Sequence, residues 1–450
     1  MQKTSFTSIN LHSGLRTLAI LLATIYLAVV IYVIASRIDY RYHLEWMEGV
    51  SLGQVYRIMN GQSIYVPASP AFVSTIYPPL YFFLAALVAA FTGIGFLPLR
   101  PISVASTLGC MIIIYRMVKN KTNSEWIGFV SVGLFAATFR AGGAWFDIGR
   151  VDMLFVFLSL CGIYLSGIAT NWNAIAAGAF FALSFLTKQT VTAILAATFL
   201  SMLISSPKQA LQFLVSFGVL SAVAYFIINR LTNGWYEFYI FVLPAANRIT
   251  WSAVPTLLAR GFGIEALMLV VSCLPFLLNP RKVLQDRLHR HYYLAIGGMI
   301  AASAMGLIYP GAYDNAAIPA YAGLSILAGL GVSWLSLSPV QSELKAAPGN
   351  ILVPYHNYLA LFAGKKMYFN IIAYDQFAGQ YSHKSLQQLN RFKEELNSTP
   401  FAVIVMDNNR GPFEKTTCVD VSQIQYPSNS TFVPVTGRPI RPMTLYTQIP

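Results

Sequence analysis

Charge is scarce in this chain. Only 10% of its 450 residues are Asp, Glu, Lys or Arg, while 56% are hydrophobic, a balance that excludes an ordinary soluble domain. Acids are the scarcer sign, 17 against 30 basic residues, for a net charge of +13. In an apolar chain such an excess points first to cytoplasmic loops and anionic lipid headgroups. No aromatic-rich basic module of the nucleic-acid-binding kind is present, so nucleic acid is not an expected partner. There are four cysteines, Cys110, Cys161 and Cys273 inside apolar runs and Cys418 in the tail. They supply neither a disulfide framework nor zinc spacing. A Gly-rich phosphate loop is missing, and so is any tandem repeat.

What the chain has in quantity is apolar sequence. Runs suited to crossing a bilayer, for which about 20 residues suffice, recur through residue 336. They are 15–36, 99–118, 126–143, 151–169, 172–187, 189–204, 210–228, 257–278, 292–308 and 317–336. The first is too long for a signal-peptide core and reads as a retained span. The run 80–96 is short and is bracketed by Pro78-Pro79 and by Gly93 and Gly95. Arg116, Lys119, Lys121, Lys208, Arg281, Lys282, Arg287 and Arg290 share one side if every long run crosses, and that side is then cytoplasmic. With the amino terminus inside, 80–96 dips or lies flat. The segments 37–98, 140–150, 229–256 and 309–316 and the surroundings of Lys188 are then outside, and the tail is cytoplasmic.

The expected fold is therefore an all-α polytopic membrane bundle of about 10–11 transmembrane helices over 1–336, with interfacial helix in the first outer loop. A small soluble α/β domain is expected over 337–450. In that tail Ile351–Val353 and Phe401–Met406 have the character of buried strands. Leu386, Leu389, Phe392 and Leu396 space one face of a helix over 385–397, and the sequence after Gly411 reads as irregular.

The few acids are unevenly placed. Asp39, Glu45 and Glu48 fall within ten residues, directly after the first span. His43–Met59 has helical spacing, with Leu44, Met47, Val55 and Ile58 on one face and Asn60-Gly61 as its stop. Such a helix is expected to lie along the bilayer surface, with Glu45 and Glu48, three apart, as neighbours. A loop that is merely solvated accounts for the same composition. Further on, Asp147-Ile-Gly-Arg150-Val-Asp152 sets an Arg between two acids at a span boundary, where ionisable groups are costly and face cavities. The structural alternative is an Arg150 ion pair with Asp152 or Asp147 that ties helices together. Lys188 stands alone between two short runs and Arg100 enters the span at 99–118; snorkelling accounts for either. Arg230, Arg248 and Arg260 add charge to an outer loop, and Tyr309–Asn315 is a polar turn.

A carboxylate over a basic, lipid-accessible cavity suits the transfer of a group from a lipid phosphate. The carboxylate accepts the proton of an attacking hydroxyl. Arg and Lys stabilise the phosphate as it leaves, and an apolar groove holds the lipid.

Glu48-Gly49 after the first span is followed by Gly61-x-x-x-Tyr65, Tyr77-Pro-Pro-Leu80, Arg150-x-Asp152, Leu186-Thr-Lys-Gln189 and Tyr313-Asp-Asn315. In this order and spacing the motifs resemble the GT-C class of polytopic glycosyltransferases that use polyprenyl-phosphate sugars. The nearest kinds are the protein-mannosyl, aminoarabinose and rhizobial lipopolysaccharide core transferases, and the resemblance spans about residues 1–336. It implies that Glu48 is the catalytic base of an inverting displacement, with Glu45 and Asp39 as the other acids at hand. It also implies that Arg150, Lys188, Asp152, Tyr77 and Arg100 surround the donor lipid phosphate. Two departures stand out: the acid follows Met47 where relatives carry an Asp or an acidic pair, and Ile76-Tyr77 precede the Pro-Pro motif where relatives often carry a Lys. The resemblance places the tail outside, against the parity count.

The function expected is transfer of a sugar from a polyprenyl-phosphate donor to an extracytoplasmic hydroxyl of a glycan, lipid or protein, in an inner or plasma membrane. The sequence establishes no cofactor; a divalent cation is admitted by the resemblance, since some relatives bind one. The competing expectation is a transporter or flippase of a lipid-linked or anionic substrate, which calls for midplane charges and internal repeats. A catalytically silent binding subunit for the lipid carrier is a third.

Overall fold

A computed structural model describes residues 11–246, 264–308 and 312–335, and in the tail 344, 347–353, 357–368, 391, 394–395, 401–406 and 444–447. Nine helices carry the first part: α1 (Leu11–Arg37), α2 (Trp46–Met59), α3 (Leu80–Thr92), α4 (Arg100–Thr122), α5 (Glu125–Ala137), α6 (Val151–Gly167), α7 (Asn171–Phe185), α8 (Val191–Ser205) and α9 (Pro207–Leu231). The helices Ile264–Leu278, Arg287–Leu307 and Ile318–Leu335 follow. Each of the ten long apolar runs overlaps one of these helices, although 257–263 lies outside the described residues. Four described helices are long and apolar enough to cross a membrane: Gly14–Arg37, Arg100–Thr122, Pro207–Leu231 and Asp314–Trp334. The chain is an all-α polytopic membrane protein.

Each helix begins and ends for local reasons. Pro101 and Pro207 sit in the first turns of α4 and α9, where a missing N–H costs nothing. The Thr170 hydroxyl accepts from Asn173 N to cap α7. Asn60 closes α2, and Gly61 follows at φ 67°, the left-handed turn expected there. The run at 80–96 forms a helix of only 13 residues. That is about 20 Å of rise, short of a hydrocarbon core of about 30 Å.

Packing is by small residues and by one central helix. α6 is buried along most of its length and packs on α4, α7 and α8, while α7 lies against α9 and α1 against α5. Gly133 lets α5 meet α1 at Ala23, where a side chain would collide; close backbone approach of this kind drives association of helices in lipid. α9 keeps only Ala210 and Phe213 buried and turns Leu211, Val215, Val219, Val223 and Phe226 outward, as a lipid-facing helix does.

Contacts divide the chain into Met1–Leu274 with Lys282–Ser333, and Pro275–Arg281 with Trp334–Pro450. The second unit holds a three-stranded sheet in the order β1 (Asn350–Leu352), β2 (Phe401–Met406), β3 (Thr444–Thr447), the first pair parallel and the second antiparallel. A short helix, Tyr358–Phe362, accompanies it. The helix expected over 385–397 and the segment after Gly411 lie almost wholly outside the described residues, as do Cys418, Arg248 and Arg260.

Candidate functional site

Two charged clusters form at one end of the bundle, and both involve the first loop. In one, Glu48 and Arg100 are fully buried against each other. Arg100 donates from Nε to Glu48 Oε1 at 3.1 Å and from Nη2 to Oε2 at 2.9 Å. Its other N–H groups reach the carbonyls of Arg37, Tyr40 and Tyr42 at 3.1, 2.6 and 2.7 Å. Glu48 accepts two more bonds, from Leu44 N and from Gly149 N, each at 2.7 Å. A carboxylate offers about four acceptor positions and a guanidinium five donors, so both groups are saturated.

Every acceptor position of Glu48 is taken and its side chain is buried, the geometry of a structural anchor. Arg100 has no donor left for a phosphate. Helical spacing did put Glu45 and Glu48 three apart, but Glu45 is the N-cap of α2, in extended conformation, while Glu48 lies on the buried face with Ser51, Gln54 and Val55. The anchor also explains Gly149: a Cβ there would come within 2.6 Å of Leu99 Cβ and 3.1 Å of Glu48 Oε1. Only glycine lets that N–H reach the carboxylate, and Arg150 is the next residue. A second tie closes the same loop: Arg37 pairs with the buried Asp147 and donates to Ala144 O at 2.6 Å. Asp147 therefore holds α1 through Arg37 and not Arg150. Asp39 is exposed and takes part in neither cluster.

The other cluster brings together four of the five residues expected at a donor phosphate. Lys188 Nζ donates to Asp152 Oδ1 at 2.7 Å, and Arg150 Nε lies 3.4 Å from Asp152 Oδ2. Arg150 Nη2 donates to the Tyr77 hydroxyl at 2.9 Å. The Arg150 guanidinium lies 5.3 Å from the Tyr77 ring centroid and 5.0 Å from that of Trp145, and Lys188 lies 5.9 Å from Tyr77, all within cation–π range. Burial pulls the Lys188 ammonium down, but Asp152 and Tyr77 more than offset it, so its pKa rises and it stays charged. Two cations against one acid leave the cluster with a positive charge to place.

Glu45 stands beside this cluster. Its Oε2 accepts from Met47 N at 2.9 Å, whereas Oε1 is buried and has no hydrogen-bond partner among the described residues. Burial is the largest influence on its pKa and raises it; the Met47 N–H and Arg150 act in the opposite direction, and Glu48 and Asp152 reinforce the rise. A carboxyl with one free oxygen, a raised pKa and a cation near it has the makings of a proton acceptor.

Sequence reasoning missed what frames these groups. Gln189 donates from Nε2 to Ile76 O at 2.7 Å and to Ile240 O at 3.0 Å. It thereby fastens the Tyr77 segment to a π-helix at Phe238–Val242, whose widened turn frees a carbonyl. Trp145 carried no signal in its spacing, and Asn315, which borders Asp152, figured in a turn and in the Tyr313-Asp-Asn315 motif without a role at the site. Among the described residues no three His, Cys, Asp or Glu side chains gather as a metal-binding set.

Comparison with known proteins gives this geometry a context. Residues 77–236 match the family model described as dolichyl-phosphate-mannose-protein mannosyltransferase. The match holds Tyr77, Arg150, Asp152, Lys188 and Gln189 and leaves out the first loop. The fold is similar to that of ArnT from Cupriavidus metallidurans bound to undecaprenyl phosphate, at 13% identity and a TM-score of 0.52, over 82% of this chain and 68% of that one. The apo form of the same protein gives 14% identity and a TM-score of 0.51, over 82% and 67%. The oligosaccharyltransferase of Archaeoglobus fulgidus in its apo form is a more distant likeness, at 12% identity and a TM-score of 0.43, over 88% and 61%. No curated protein sequence matches. The family match covers less than half of the chain, and at 13–14% identity the likeness to ArnT is one of fold.

Proposed function

We propose that the protein transfers a sugar from a polyprenyl-phosphate carrier to an acceptor hydroxyl at the extracytoplasmic face of an inner or plasma membrane, with inversion and with Glu45 as the base. The observation that carries this reading is the juxtaposition of Arg150, Lys188 and Tyr77 around one acid, with a carboxyl oxygen of Glu45 left free beside them. The ArnT structure that shares the fold has undecaprenyl phosphate bound, which fits a cationic cradle of this kind.

Glu45 takes the proton of the acceptor hydroxyl as its oxygen forms a bond to the anomeric carbon. The bond from that carbon to the phosphate oxygen breaks on the opposite face, and the carrier leaves as a phosphate monoester with one more negative charge than the donor. Arg150 and Lys188 stabilise that added charge, and they do so more in the transition state than in the ground state. Tyr77 orients the guanidinium from below. Glu48, Arg100 and Asp147 act at one remove, by fixing the backbone at Gly149 and the loop that carries Glu45. The basic residues at the opposite end, Lys119, Lys121, Lys208, Arg287 and Arg290, mark the cytoplasmic side.

The test is transfer from a radiolabelled polyprenyl-phosphate sugar in reconstituted membranes. Arg150→Ala is expected to lose donor binding, and Glu45→Gln to bind the donor and fail to turn it over. Full turnover by a folded Glu45→Gln protein, or movement of the lipid across liposomes with no covalent product, would remove the proposal.

A further inference from the structure

We infer that Trp46 and Tyr313 form a stacking platform for a sugar ring of the acceptor, so that the acceptor is a glycan rather than a peptide or a bare lipid headgroup. The inference rests on Glu45 as the base, since the acceptor must lie where its proton is taken.

Four groups make a continuous line. The Arg150 guanidinium lies 5.0 Å from the ring centroid of the buried Trp145. Trp145 stacks on Tyr313 with centroids 6.1 Å apart and planes 25° from parallel. Tyr313 meets Trp46 edge to face at 6.4 Å. The inner end of the line is at the phosphate cradle and the outer end is next in the chain to Glu45. The outer rings are open: Trp46 is 58% exposed and Tyr313 48%. Large rigid rings left open beside a reactive carboxyl are a recognition surface more than a solvated accident.

The polar groups around the rings select the ligand. Glu45 precedes Trp46, and Asp314 follows Tyr313 and is exposed. Asp314 Cβ also lies within 3.5 Å of where a Cβ on Gly143 would sit, on the same side as Trp145. A ring face for C–H groups, with carboxylates next in the chain at Glu45 and Asp314, suits a pyranose. It is a poor complement of an anionic lipid headgroup, which those carboxylates repel. Trp145 is packed between Arg150 and Tyr313, so the platform and the cradle are held at a fixed spacing.

The test uses the full chain in nanodiscs of phosphatidylcholine and phosphatidylglycerol. Saturation-transfer NMR is recorded with methyl β-D-glucopyranoside, methyl α-D-mannopyranoside and a Ser/Thr peptide, and undecaprenyl phosphate binding is measured in parallel. At least one methyl hexoside is expected to receive magnetisation at its ring C–H groups. Trp46→Ala and Tyr313→Ala each lower that transfer at least five-fold, and Trp46→Phe restores it. Undecaprenyl phosphate binding is unchanged in these variants and falls at least ten-fold in Arg150→Ala. No hexoside signal, a signal indifferent to both rings, a response confined to the peptide, or quenching of Trp46 by brominated phosphatidylcholine, read as the difference from Trp46→Phe, overturns the inference. Loss of lipid-phosphate binding by the wild type with the hexoside signal intact sinks the donor reading alone.

Discussion

The cluster at Glu48 and the cluster at Arg150 contain the same kinds of group, in the same part of the molecule, and differ in how far they are satisfied. Glu48 accepts four hydrogen bonds and Arg100 spends every donor. Arg150 reaches Asp152 only at 3.4 Å, and Glu45 Oε1 has no hydrogen-bond partner among the described residues. A saturated ion pair has nothing to offer a substrate and much to lose if broken, because a buried charge without its partner is expensive. An unsaturated one is less stable than it could be and keeps its capacity for chemistry. Burial does not separate the two, since Glu48, Arg100, Arg150 and Asp152 are all buried. Hydrogen-bond accounting does.

Substitutions on either side of this contrast should break different things. The largest effect is expected from Glu45→Gln, which should lower turnover by about 10²–10⁴-fold with little change in the melting temperature, read by transfer assay and thermal unfolding on the same sample. In the wild type the rate should rise with pH as Glu45 loses its proton, because the base works deprotonated. Since its pKa is raised, the midpoint should lie above the ordinary carboxylate value of about 4.3, and the variant should lose this limb of the pH profile.

Arg100→Ala should do the reverse. It strands the buried Glu48, for a cost of about 3–5 kcal/mol, read as loss of folded, monodisperse protein in detergent. Where the protein survives, the donor should still bind if Arg100 acts only by anchoring. Arg37→Ala leaves Asp147 buried without its partner and should cost less, about 1–3 kcal/mol, because Arg37 is itself partly open to solvent. At the far end, Lys119 and Glu125 pair at 2.7 Å but are exposed, so Lys119→Ala should leave the melting temperature where it was; exposed pairs contribute little. A large loss there would mean that pairing alone, without burial, ranks these clusters.

The membrane bundle was legible in the sequence because its signal is composition summed over long windows. Ten apolar runs between sparse charges leave few other folds open, and α1, α4 and α9 follow from them almost directly. That Arg150, Asp152 and Lys188 pair with one another was foreseeable too, since an isolated charge in such a chain requires a partner; Tyr77 entered only through the resemblance. Which of the two acids an ion pair consumes was not foreseeable. Glu45 and Glu48 are three residues apart and alike in charge, and nothing local says which one meets Arg100.

What the sequence determined by itself, then, is the bundle, its charged end and the residue types that could work there, because bilayer thickness and the cost of buried charge act on composition. What only the tertiary structure decided is which charges are consumed. Arg100 and Gly149 lie 52 and 101 residues from Glu48 along the chain, and only folding brings their N–H groups to one carboxylate and leaves the other free.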